Sequence, residues 1–249
     1  MSLLSYIFGD SVMKGVVLDE HEARYRLLPE TDWKALGGDI ALDVKNRSHF
    51  GCTVDKGLRV VKKALARGPK PSFALLEYGG NDCDFHWEAV AANPRGQHEP
   101  RTPLPRFLEI YEELIDYLRA AEVEPVLMNL PPIDGSYYLR HIVEQRGLDE
   151  EALLEFLAGD SNQICRYQEL YSRQIEALAR RKDLPLFDCR SAFLAAADFR
   201  ALICADGLHP NARGHQLIYE SLRQFIRDWA SQRLEGRSRQ RGLLAGTLL

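Results

Sequence analysis

Long apolar runs are the first thing this chain of 249 residues lacks. None approaches the ~20 residues of a membrane span, so a helical membrane protein is excluded. Charge of one sign is missing as well: 32 Lys+Arg stand against 36 Asp+Glu, a net charge of −4. That balance gives no global reason to expect nucleic acid or an anionic membrane as a partner. Cysteine is scarce, with Cys52, Cys83, Cys165, Cys189 and Cys204 odd in number and without a C-x-x-C pair. Free thiols in a reducing cytosol are the simplest reading. The opening stretch has no basic region and reaches Gly9-Asp10 too soon for a secretory signal, so a cytoplasmic location is expected.

Several motifs are absent too. Neither G-x-x-x-x-G-K-S/T nor G-x-G-x-x-G occurs, which argues against a phosphate cradle. No G-x-S-x-G elbow is found either. Metal-ligand patterns are thin: His141 and Glu144 have i,i+3 spacing, and His86 and His98 sit in a loop without a ligand framework. No metal or cofactor is therefore expected. Asn46-Arg47-Ser48 matches a glycosylation acceptor, which has no role in a cytosolic protein.

What is present is an alternation of two periodicities. Leu3–Phe8, Ile40–Val44, Phe73–Tyr78, Pro125–Leu130 and Pro185–Phe187 are short apolar runs, most without strict alternation. That suits parallel strands covered on both faces. Between them, Val54, Leu58, Val61 and Leu65 mark one helix face, stopped by Gly68-Pro69. Leu108, Tyr111, Leu114, Ile115 and Leu118 mark a second; further helices are expected over 162–182 and 211–230. The pattern predicts a doubly wound α/β sheet. Two regions depart from it. Residues 12–38 suggest a small hairpin, Val16–Leu18 against Tyr25–Leu28, around a polar bend. Residues 131–161 insert helical stretches, Tyr137–Gln145 and Glu150–Leu157, between the fourth and fifth strands. The arginine-bearing end, 233–249, is expected to be a frayed, solvated tail.

Four short blocks carry candidate chemistry. Gly9-Asp10-Ser11 closes the first strand, at the edge where ligands sit in such sheets. A serine there becomes a nucleophile only if a base takes its proton. Asp206-Gly-Leu-His209-Pro210 offers that base, because a carboxylate three residues away on one loop can hold the imidazole in one tautomer. Gly79-Gly80-Asn81-Asp82 closes the third strand with an amide able to donate to a developing oxyanion. Gly51 offers a backbone N–H ahead of the helix that begins near Val54. Each block alone reads equally well as a turn or a cap. Jointly they supply nucleophile, base, orienter and oxyanion donors.

In that order and composition the blocks resemble the SGNH hydrolases, the GDSL esterase/lipase superfamily, with Val12 where the family name has leucine. The resemblance implies a flavodoxin-like three-layer α/β/α sandwich on a five-stranded parallel sheet of order 2-1-3-4-5. It implies a single domain over 1–232, with the insertion at 131–161 as a candidate lid. It also implies a catalytic triad of Ser11, Asp206 and His209, and an oxyanion hole from the Ser11 and Gly51 N–H groups and the Asn81 side chain. The expected reaction is hydrolysis of a small-molecule carboxylic ester, short-acyl or an acetylated saccharide, through an acyl-enzyme. Acyl transfer or thioester cleavage on the same triad, and a non-catalytic binding module, remain as alternatives; oligomeric state is unspecified. Asp82, His86, Trp87, Tyr137 and Tyr138 are the candidate substrate-binding residues, on loops whose aromatics, Phe156 included, suit either a sugar or an acyl group. Cys52 and Cys83, beside Gly51 and Asn81, read best as small packed residues and less well as a redox-sensitive pair.

Overall fold

The computed structural model describes residues 3–19, 22, 24–28 and 42–246, with side chains as far as Trp229. Five parallel strands form the sheet: β1 (Leu3–Gly9), β4 (Leu42–Asn46), β5 (Phe73–Glu77), β6 (Glu124–Met128) and β7 (Leu186–Phe187). They lie in the order β4-β1-β5-β6-β7, which is 2-1-3-4-5 once the hairpin strands are set aside. The predicted start of the second strand at Ile40 lies outside the described residues. The hairpin is a separate antiparallel pair, β2 (Val16–Asp19) and β3 (Arg24–Leu27).

Alternation along β1 explains the layers. Tyr6 and Phe8 point to one face and join Leu76, Leu127 and the apolar faces of three helices: α2 (Val54–Arg67), α4 (Leu104–Ala120) and α7 (Asn162–Arg181). Ile7, between them, points to the other face and joins Leu75, Val126, Phe187 and two helices, α8 (Cys189–Leu194) and α9 (Ala212–Gly246). Strands buried on both sides need no polar face, which is why they read as continuous apolar runs. Ile218, Leu222 and Ile226 of α9 are all buried, each worth about 1.5–3 kcal/mol of transfer free energy.

Two elements differ from expectation. The backbone of α9 continues helical to Gly246, through the region read as a frayed tail; arginine, leucine and glutamate are good helix formers and no proline interrupts them. The proline-bearing loop after β5 contains a short helix, α3 (Trp87–Ala92). The insertion forms α5 (Gly135–Arg146) and α6 (Glu150–Phe156), each capped by an aspartate, Asp134 or Asp149, that accepts two backbone N–H groups. Phe85, Trp87, Val90, Tyr138, Ile142, Leu153, Leu157 and Ile164 make a third apolar cluster that joins α3 to the insertion. No helix among the described residues is long and apolar enough to cross a membrane.

Candidate active site

The β1 strand ends at Gly9, and Asp10 turns the chain by accepting the Val12 N–H at 2.8 Å. Ser11 thereby becomes the first residue of a one-turn helix, α1 (Ser11–Lys14), at the carboxyl end of the sheet. Across from it, the loop before α9 folds Asp206 back on itself. One carboxylate oxygen accepts the Leu208 and His209 N–H groups at 2.9 and 3.0 Å. Gly207 permits that turn: its φ is +73°, and a Cβ there would meet Asp134 O and Tyr138 N at 2.5 Å.

The other Asp206 oxygen accepts the His209 Nδ1–H at 2.6 Å, and His209 Nε2 lies 2.9 Å from Ser11 Oγ. All three side chains are buried. Burial pushes the Asp206 carboxyl up, but the hydrogen bonds and charge of His209 and the two backbone donors outweigh it, leaving Asp206 below the ordinary carboxylate value. Asp206 is thus ionised and Nδ1 of His209 carries its proton, so Nε2 faces the serine as an acceptor.

Asn81 reaches the same point from β5. Its amide donates one hydrogen to Asp10 at 2.8 Å, which fixes the plane of the group and leaves the second N–H for a ligand. Behind Asp10 sits Glu77, fully buried, accepting the Asp10 N–H at 3.1 Å. Burial, then the charge of Asp10, pushes the Glu77 carboxyl well above the ordinary range, so it is held neutral. Gly51, with φ +62°, turns the chain ahead of α2. Ser11, Gly51, Asn81 and His209 all line one cavity of about 410 Å³.

The candidate substrate residues divide. Trp87 and Tyr138 line the cavity; Asp82, His86 and Tyr137 do not. Asp82 is fully buried and holds the Val54 N–H with both oxygens at 3.1 Å, so it caps α2 and does not bind a ligand. His86 precedes α3 on the outer side, and Tyr137 lies off the inward face of α5. Phe156 packs at the margin of the third cluster, against Phe85 and His98. Trp87 and Tyr138 are themselves tied down, both donating to Asp84, at 2.7 and 2.9 Å, which also pairs with Arg101. Cys52 and Cys83 are buried free thiols whose pKa burial raises, to about 12 for Cys52, so neither is a reactive thiolate.

Tyr25 of β3, Phe50 and His141 of α5 went unread in the sequence as parts of the site, and all three line the cavity. The Tyr25 ring stands edge-on to His209 with centroids 5.0 Å apart, Phe50 stacks on His209 at 6.2 Å, and the Tyr25 hydroxyl meets His141 Nε2 at 3.1 Å. The hairpin is held there by His215, whose Nε2 donates to Val16 O at 3.0 Å. Among the described residues, no group of three or more His, Cys, Asp or Glu is arranged to hold a metal.

Comparison with known proteins bears on the family and the fold. The family model of GDSL-like Lipase/Acylhydrolase matches residues 7–217. A GDSL esterase/lipase of Arabidopsis thaliana, CPRD49, is 21% identical over 203 residues, spanning 79% of this chain and 72% of that protein. Among solved structures, a mutant of the acetyl-xylooligosaccharide esterase Axe2 from Geobacillus stearmophilus superposes with a TM-score of 0.60 at 18% identity, covering 90% of this chain and 94% of the other. The psychrotrophic esterase EstA from Pseudoalteromonas gives 0.59 at 19% identity, covering 92% and 100%.

Proposed function

The chain belongs to the GDSL-like lipase/acylhydrolase family, hydrolases acting on ester bonds, and from that premise we propose that Ser11 is its nucleophile. The observation that carries this is the unbroken chain Ser11 Oγ, His209 Nε2, His209 Nδ1, Asp206, with links of 2.9 and 2.6 Å, at the wall of a cavity. His209 takes the serine proton as Oγ attacks the ester carbonyl. Charge then develops on the carbonyl oxygen, where the free N–H of Asn81 and the backbone N–H groups of Ser11 and Gly51 are the donors in position to receive it. The imidazolium returns its proton to the departing alcohol, leaving an acyl-enzyme. Water, activated by the same histidine, releases the acid.

The cavity supports a particular acyl part. Leu130, Ile133, Ile142, Ile164 and Leu208 line it with Phe85 and Tyr167, so most of the lining is apolar. At about 410 Å³ it lies toward the lower end of small-molecule sites, which run from roughly 300 to 1,000 Å³. We therefore favour a soluble ester with a short to medium unbranched acyl chain over a bare acetyl group. All five cysteines are free, which supports a cytoplasmic location. The test is a panel of soluble esters from acetyl to dodecanoyl, with the Ser11→Ala protein alongside. An optimum at intermediate length, absent in the variant, supports the proposal; the same turnover in Ser11→Ala, or a sharp preference for acetyl, contradicts one half of it or the other.

A further inference from the structure

Two excursions of the chain meet above the imidazole. The hairpin delivers Tyr25 and the insertion delivers His141, 116 residues apart in sequence, yet their side chains hydrogen-bond at 3.1 Å. The Tyr25 ring covers His209 from that side, with centroids at 5.0 Å and planes at 60°. Burial, then the charge of the nearby Asp206 carboxylate, raises the Tyr25 pKa, so the hydroxyl keeps its proton. Resting on the triad reading above, we propose that Tyr25 and His141 are positioning residues for His209: a clasp in which the His141–Tyr25 hydrogen bond holds the tyrosine ring edge-on against the imidazole, where hairpin and insertion meet.

Clasp and simple bridge differ in what they do to the base. A contact that only holds the hairpin to the insertion would change stability or substrate affinity. A clasp changes the aim of His209 between Asp206 and Ser11. The groups facing Tyr25 are Asp206, Cys204 and Arg146; those facing His141 are Asp206, His209, Arg146 and Glu144. Burial lowers the His141 pKa, with the charge of Asp206 opposing and those of His209 and Arg146 assisting. Removing the Tyr25 hydroxyl, or replacing His141, breaks the hydrogen bond that holds the ring against the imidazole. Either change frees the imidazole to leave the line between Asp206 and Ser11, so the loss falls on kcat.

The experiment is a set of kcat/KM profiles against pH for the wild type, Tyr25→Phe, His141→Gln and the double variant, on one soluble activated ester, with Ser11→Ala as reference. Phenylalanine keeps the ring and its packing, and His141 is a half-exposed helical position, so the fold is retained in both. Each single variant should lose about tenfold in kcat with KM within about twofold, as for loss of one positioning hydrogen bond. The double variant should be no slower than the slower single one, because both break the same hydrogen bond. Profiles that superpose on the wild type, or losses that add or fall on KM alone, would overturn the clasp while an inactive Ser11→Ala leaves the triad standing. An active Ser11→Ala would overturn both.

Discussion

The site has two halves built in different ways. Ser11 and Asn81 lie on tight turns after strands, Gly51 turns the chain ahead of α2, and Asp206 and His209 lie on one loop whose backbone N–H groups bond to Asp206. Each is aimed by chain within a few residues of itself. The other half, Tyr25, Trp87, Tyr138, His141 and Ile164, comes from the hairpin, the loop after β5, the insertion and α7, which meet only when the whole chain has folded. On the proposed function, the first half carries the bond-breaking geometry and the second the shape and polarity around it. Reaction and specificity are therefore separable by mutation except where the two sets meet, at Tyr25 on His209 and the His141 that holds it.

The sharpest way to break that division is at the strand ends. Ser11→Ala should remove turnover by at least about 10⁴-fold in steady-state kinetics while circular dichroism stays unchanged, because the other half cannot supply a nucleophile. Asn81→Ala should cost roughly 10²–10³ in kcat with little effect on KM, since its free N–H meets charge that exists only in the transition state. A loss carried by KM would move Asn81 into the binding half. Asp206→Asn should cost on the order of 10–10³, less than the about 10⁴ of the serine-protease precedent, because two backbone donors still hold the loop.

Away from Tyr25 and His141, changes in the second half should be smaller and of another kind. Tyr167→Ala deepens the apolar wall beside Phe85, where the ring centroids are 4.9 Å apart. Its expected effect is a longer optimal acyl chain, with about tenfold redistribution of kcat/KM between neighbouring lengths. Unchanged chain-length ranking would show that this wall does not face the acyl group.

The same division explains what the sequence disclosed. Ser11, Gly51, Asn81, Asp206 and His209 were legible because motif spacing and strand ends are local. Tyr25 and Phe50 were not, because nothing nearby in sequence says that a hairpin will dock on His209. Helical geometry accounts for the mixed result on α5: Tyr138, His141, Ile142 and Gln145 follow i, i+3, i+4, i+7 and face the cavity, while Tyr137 is turned by one residue. Reading His141 only as a thin metal pair with Glu144 overlooked that stripe. Asp82 follows Asn81 and was grouped with it, yet successive residues of a tight turn face opposite ways, and its carboxylate caps α2. The two covered faces followed from apolar runs and periodicity and the sheet order from the family resemblance, whereas α3 is only six residues long and is followed by Pro94, Pro100 and Pro103.

Asp82 also gives the smallest of the expected effects. Burial raises its pKa from 3.8 to about 7. Between those values the native chain keeps a proton that the unfolded chain has released, so this group's contribution to stability falls as pH rises from about 4 to 7. Thermal unfolding of Asp82→Asn should therefore decline less than the wild type across that interval. Parallel curves would show that Asp82 is ionised throughout.

Ser11 as the nucleophile is the central assignment, and covalent labelling tests it most directly. A fluorophosphonate probe, followed by intact mass and peptide mapping, should add one label per chain, on Ser11, in step with loss of esterase activity. Labelling of another residue, or full inactivation with Ser11 unmodified, would contradict it.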